Sequence, residues 1–375
     1  MEGEWGTEMY RRNETGDGWD LAGKIVRDIM KKMGDREYFF SGGGLLAAAM
    51  VLQVLARNVS GMATWYAHHV YPVLVRVIGG FFGFFPFSVV EKALYFLVFG
   101  MILYVYRFWR EPRRVLARMV FLTGVLFFLY TCNCGVNYYA ASFAEYAGME
   151  VGTYSEEELK KLCEFLTKKV NETVVRDRYI EYRWAWKEES VRAMKRRGEE
   201  FAVLGGFYPE PKEVGISSIL SAQQLCGIYS PFTIEANYNK YMPSYNIPHT
   251  MCHELSHLKG FMREDEANFI GYLACVGSER QAFRYSGYLT GWVYASNALA
   301  RVDRESYIEL RGKLCKQAKE DLQRNNDFWE RYEGKVAEVA NQMNDVYLKA
   351  NDQSDGVKSY GRMVDLMLEY YQKMN

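Results

Sequence analysis

The sequence predicts an α-helical membrane anchor of three transmembrane helices, followed by a mainly α, α+β domain with a small sheet. Three observations predict it. Nearly all the long uncharged runs of this 375-residue chain lie before residue 145, most of the charge lies after it, and the more charged part holds a His-Glu-x-x-His motif. Lys plus Arg (46) cancels Asp plus Glu (46), so no net field draws the chain to a polyanion, and nucleic acid is not an expected partner. With 49% hydrophobic and 16% aromatic residues the chain is too rich in core formers for a disordered protein. The mean hydropathy of −0.25 averages two halves that meet different solvents.

The first anchor run is Phe39 to Ala56, free of charge and closed by Arg57, and the last is Met119 to Ala144. At 1.5 Å per residue, either can cross a hydrocarbon layer about 30 Å thick. A third span runs from about Val89 to Tyr106, with Glu91 and Lys92 near its start, where side chains can snorkel to the interface. Between them Asn58 to Ser88, rich in aromatics and glycine, is expected to lie along the lipid interface. A cleaved signal peptide fits poorly, because thirty-eight residues precede the first run. Cations crowd the first 38 residues and the loop from Arg107 to Arg118, which places both in the cytoplasm by the positive-inside bias. The expected organisation is therefore a cytoplasmic segment at 1–38, a membrane region at 39–144, and an extracytoplasmic domain at 145–375 of a multi-pass cell-membrane protein. No ionisable group sits deep in the spans, which argues for anchoring rather than transport.

In the charged half, Ser155 and Glu158 form a capping box for a helix to Asn171, with Leu159, Leu162, Leu166 and Val170 on one stripe. Lys187 to Phe201 is a second helical stretch, interrupted at Gly198. Phe232 to Asn239 alternates like a half-exposed strand. Beyond Arg301 the chain reads as helical. Tyr307, Leu310 and Leu314, and then Val336, Val339, Met343 and Val346, recur at helical spacing as packing stripes. Asp355-Gly356 marks a turn before a last helix from about Ser359 to Gln372.

His253-Glu254-Leu255-Ser256-His257 carries the chemistry. Histidines four apart on a helix stand one above the other, so both can offer a nitrogen to one Zn²⁺. Asn246 is a plausible N-cap, Pro248 suits the first turn, and Gly260 can take the left-handed position that ends the helix. A catalytic zinc needs a third protein ligand. Arg263 stands where a third histidine of the metzincin spacing would be, and a guanidinium cannot ligate a cation. The alternative is a carboxylate on a following helix, within Glu264-Asp265-Glu266-Ala267-Asn268. Glu264 shares its face with Asn268 and Gly271, beside Ala267, and small residues there let two helices approach closely. Glu264 is preferred to Glu266 for that reason. His249, one further turn back, is too far along the axis to join the same ion and reads as a capping or packing residue.

Three segments, Pro231 to Asn237, Pro248 to His257 and Arg263 to Phe269, resemble a bacterial membrane family known as domain of unknown function 3810. Cys134 to Tyr139 and Asp355 to Arg362 are similar to it as well. The resemblance implies three N-terminal spans, a zincin-like domain and a presumed peptidase activity. Arg263-Glu264 to Asn268 is also similar to the Glu-x-x-Ala-Asp of membrane gluzincins, which carries the third-ligand role to Glu264, with Asn268 where Asp is usual. Through the resemblance alone, Tyr360 and Arg362 become candidates for stabilising an oxyanion.

The expected function is a zinc metallopeptidase: metal held by His253, His257 and Glu264, with Glu254 as general base for an attacking water. The strand at Phe232 to Asn239 is expected to pair with an extended peptide or protein substrate. The rival is a non-catalytic envelope module that binds a partner and signals through its anchor. Cys163, Cys226, Cys252, Cys275 and Cys315 are an odd set for an extracytoplasmic domain, so at least one free thiol is expected. Cys252 points about 100° away from His253 and reads as packing.

Overall fold

The computed structural model describes residues 33–150, 152, 154–174, 183–351 and 362–374. They are mostly helical, with one small sheet. The chain divides into two compact units, one of residues through Met50 with Phe99–Phe128, the other of Val51–Val98 with Leu129 onward.

Three helices are long and apolar enough to cross a membrane: α1 (Asp35–Asn58), α3 (Val89–Phe108) and a segment from Pro112 to Tyr139 that opens with α4 (Pro112–Tyr130). Between α1 and α3 lies α2 (Met62–His69). Within the first unit α1 and α4 touch backbone to backbone: a Cβ on Gly42 would stand 2.6 Å from the Phe121 backbone. Small residues permit such contact where lipid supplies no hydrophobic drive. The Arg118 guanidinium lies over the Tyr38 ring and reaches Asp35 at 3.8 Å.

The second unit begins with residues expected along the lipid interface. Much of that segment packs instead into the globular core: Ala63, Tyr66 and Tyr71 are buried. The Tyr71 hydroxyl meets that of Tyr229 at 2.9 Å and donates to the Leu258 carbonyl at 3.1 Å. The phenylalanine-rich tip, Phe84 above all, stays exposed, and so do Trp65, Val73 and Val77. The aromatic content signalled a core as much as an interface. Nor does Glu91 snorkel. It is buried and accepts from the backbone N–H of Gly215 and Ile216 at 2.9 and 2.8 Å.

After the spans, α5 (Glu156–Thr173) starts on the expected Ser155–Glu158 capping box and buries Leu162, Leu166 and Val170. α6 (Arg183–Glu200) runs through Gly198 without a break. The sheet has order β1-β3-β2, from β1 (Lys212–Glu213), β2 (Gly227–Ser230) and β3 (Glu235–Tyr238). β1 runs parallel to β3, and β2 antiparallel, with Ile228 opposite Asn237. Of the expected half-exposed strand only Glu235–Tyr238 forms, and Phe232 stays exposed in the turn before it. The strand is the central one, paired with β2 along its length and with β1 at Asn237 and Tyr238, and buried at every residue. It cannot also pair with a substrate. The apparent alternation misled because Glu235 is satisfied internally and the Asn237 amide donates to the Ile228 and Glu235 carbonyls rather than to water.

Two helices follow the sheet: α7 (Asn246–Leu258), which carries the His-Glu-x-x-His motif, and α8 (Glu264–Val276). Tyr245, not Asn246, occupies the N-cap, and the Asn246 side chain donates to Asn325 instead. Gly260 takes φ +108° and turns the chain toward α8. The long α9 (Gln281–Val302) backs both helices and bonds α5 through Trp292 and Thr167. α10 (Arg304–Lys313), α11 (Lys316–Glu330), α12 (Lys335–Ala350) and α13 (Arg362–Met374) complete the unit. Leu310 and Leu314 are buried as expected, but Val336, Val339, Met343 and Val346 on α12 are exposed rather than packed.

Candidate metal centre

α7 and α8 meet face to face, and Gly271 sets the distance. A Cβ there would lie 3.2 Å from the His253 backbone nitrogen, tighter than side chains normally pack. The small-residue face inferred from sequence is the one that faces α7. Across this contact His253, His257 and Glu264 converge, and their ligand atoms all lie within 4.8 Å of one another. Nε2 of His253 and Nε2 of His257 are 3.1 Å apart. Glu264 stands 3.4 Å from the first and 3.5 Å from the second. Ligands about 2.0–2.2 Å from a tetrahedral ion are separated by roughly 3.3 Å; the two nitrogens meet that spacing, and the carboxylate meets it through a different oxygen to each, Oε2 to His253 and Oε1 to His257. Among the described residues it is the one group of this kind.

The surroundings complete the fit. The His257 Nδ1 donates to the Phe261 carbonyl at 2.8 Å, so in the neutral ring that binds a cation Nε2 is the lone-pair nitrogen. Nδ1 of His253 is buried without a partner, as is Oε2 of Glu254. Burial and the neighbouring His257 hold His253 down at about 3. Burial would also lower His257, but Glu264, then Glu254 and the Phe261 carbonyl, outweigh it and hold the ring at about 9. Burial acts the other way on Glu264, where the two imidazoles bring the carboxyl below its usual range. Burial pushes Glu254 up to about 8. A divalent cation nearby would draw that carboxyl down again.

The other sequence candidates are not ligands here. Glu266 accepts from the Phe143 backbone and pairs with Arg263 at 3.3 Å, away from the cluster. His249 bonds the Asn268 carbonyl at 3.1 Å, a packing role. The Asn268 amide donates to the Glu264 carbonyl at 2.8 Å. It also stands close enough to act on the His253 ring, though without a well-formed bond to Nδ1. Cys252 is buried against Cys275, sulfur to sulfur at 3.9 Å, and every cysteine is a free thiol. Arg362 pairs with Asp265 at 3.1 Å, and Tyr360 lies outside the described residues.

The cluster opens into a cavity of about 660 Å³, lined on one side by β2 and on the others by residues that sequence reasoning did not select: Tyr294 on α9, and Asn344 and Tyr347 on α12. Gly227 of β2 lies so close to the Glu254 carboxylate that a Cβ there would collide with it. No short motif marks Tyr294 or Tyr347. Their one signal was an unusual density of tyrosine, 29 in the chain.

These features define a mainly helical protein with three helices able to span a membrane and a two-histidine, one-carboxylate cluster beside a cavity. The chain belongs to the family described as protein of unknown function (DUF3810), whose model matches residues 66–368. No curated protein and no solved structure matches it.

Proposed function

We propose that the chain is a membrane-anchored, zinc-dependent metallopeptidase with a gluzincin-like site. The single observation that carries this reading is the triangle of His253, His257 and Glu264 atoms, with Glu254 left unpartnered at its edge. A Zn²⁺ held by the three would acidify a water and polarise a carbonyl, and the residues provide the rest. Glu254 takes the proton from the attacking water and passes it to the leaving amine. Tyr294 faces the cavity, and burial keeps its hydroxyl protonated, so it can donate to the developing oxyanion in the part first read onto Tyr360. A peptide would lie along β2, whose edge away from β3 is unpaired among the described strands and whose Gly227, Ile228 and Tyr229 line the cavity.

The anchoring part of the reading rests on helix ends. Val89 and Val90 at the start of α3 donate to Glu235, Arg57 near the end of α1 donates to the Ala350 carbonyl, and Tyr130 at the end of α4 donates to Asn351. One end of each apolar helix is thus tied to the same globular unit, as three antiparallel crossings require. The positive-inside bias puts that unit outside the cell.

The test is metal analysis and peptide cleavage by the full chain in nanodiscs. Glu254→Gln is expected to keep stoichiometric zinc and lose cleavage by about 10²–10⁴-fold. Undiminished cleavage by Glu254→Gln would sink the peptidase reading, and zinc bound with no cleavage by either form would favour the envelope-module rival.

A further inference from the structure

α12 divides into three sectors around its axis. At 100° per residue, Ala337, Asn344 and Leu348 fall together as residues that pack or line the cavity, and Tyr347, which lines it too, falls between them and the apolar stripe. Glu338, Gln342, Asp345 and Lys349 form a polar sector about a third of a turn away. The remaining sector is an apolar stripe, Val336, Val339, Met343 and Val346, each more than half exposed. A stripe of that length on a charged helix is the pattern of a helix lying in a lipid interface.

The rest of the unit says which surface covers it. The Ala350 carbonyl accepts from Arg57 at 3.2 Å, and Oδ1 of Asn351 accepts from Tyr130 at 2.7 Å. Arg57 is in the last turn of α1 and Tyr130 is the last residue of α4. The carboxyl end of α12 is thus fastened to the last turn of α1 and to the end of α4, from which the third apolar segment runs on to Tyr139. Tyr347 adds contacts to Tyr138 at 3.1 Å and Cys134 at 3.5 Å, just past α4.

We propose that α12 lies on the surface of the bilayer that α1, α3 and α4 cross, its Val336–Val346 stripe in lipid and its Asn344–Tyr347 side forming a wall of the metal cavity. The proposal rests on the membrane-anchored reading but not on the peptidase one. It gives the cavity a wall whose outer side is wetted by lipid.

The experiment uses the wild-type chain in phosphatidylcholine–phosphatidylglycerol nanodiscs doped with a phospholipid bearing a diazirine high on its acyl chain. After photolysis, lipid adducts are mapped by mass spectrometry. Adducts on Val339, Met343 and Val346 are expected at roughly tenfold or more over Glu338, Gln342 and Asp345. Phe96 and Leu103, exposed residues of α3, are the internal control. Adducts on α3 with none on the stripe overturn the proposal and leave the spans standing, as happens if a second copy or another part of the chain covers it. Adducts on neither overturn both. Equal labelling of stripe and polar sector also overturns it. In Val339→Asp/Met343→Asp, stripe labelling is expected to fall roughly tenfold while labelling of α3 holds.

Discussion

Two clusters of glutamate, one around Glu235 and one around Glu254 and Glu264, are built to opposite rules. Glu235 is saturated: it accepts from the Val89 and Val90 backbone, from Thr233 and from buried Lys212 at 2.5 Å. The cluster on α7 and α8 is under-partnered. Oε2 of Glu254 and Nδ1 of His253 have no hydrogen bond, and two imidazole nitrogens crowd each other at 3.1 Å. A buried charge with every lone pair used holds structure together, whereas orphaned polar atoms arranged around a common point need something else to satisfy them. The pairing around Glu235 joins the start of α3 to the sheet, and on our proposal the α7–α8 cluster waits on a cation.

Metal content should split the two clusters most sharply. Glu264→Ala removes one vertex of the triangle and is expected to take bound zinc from stoichiometric to trace, read by elemental analysis after gel filtration. Zinc retained in Glu264→Ala and lost in Glu266→Ala would transfer the role to Glu266. Glu235→Ala should leave metal binding intact in the folded fraction. It strands the Lys212 ammonium, which is 5% exposed, and should cost about 3–5 kcal/mol in denaturant unfolding. Lost zinc with unchanged stability would erase the contrast.

A pH effect comes next in size. Burial holds His249 down at about 4, against an ordinary value of 6.5. Between those values the unfolded chain binds a proton that the folded chain refuses, so stability falls as pH drops from about 6.5 to about 4. The full difference is about 3 kcal/mol. His249→Gln can keep the bond to the Asn268 carbonyl without titrating, and it should flatten that slope. A slope unchanged in His249→Gln would assign the acid sensitivity to other groups.

The convergence of His253, His257 and Glu264 was legible because its determinants are local: two histidines at helical spacing, a glycine turn, and small residues Ala267 and Gly271 on the facing helix. The anchor spans were legible from uninterrupted apolar length. What was not legible depended on partners distant in sequence. Phe232 to Asn239 looked half exposed because nothing local shows that β1 and β2 flank it, or that Lys212 neutralises Glu235. The residues between α1 and α3 divide between a buried side, which takes Tyr71, and exposed Trp65, Val73, Val77 and Phe84, a division that composition cannot give. The α12 stripe looked like packing for the converse reason. Periodicity shows that one face is apolar but not what covers it.

The smallest effect tests whether the under-partnered cluster can be improved. Asn268 spends its amide on the Glu264 carbonyl and leaves Nδ1 of His253 without an acceptor. A ligating histidine normally donates its second nitrogen to a carboxylate or carbonyl, which fixes the ring and makes the ligand more basic, and such partners change metal affinity by about 10–100-fold. Asn268→Asp would place a carboxylate beside that N–H and is expected to tighten zinc by about tenfold in chelator competition. Glu235→Gln, the same kind of exchange made at the saturated cluster, should leave zinc affinity alone. Weaker zinc binding in Asn268→Asp would mean that the lost amide bond to the Glu264 carbonyl, which steadies the third ligand, matters more than the new partner for His253.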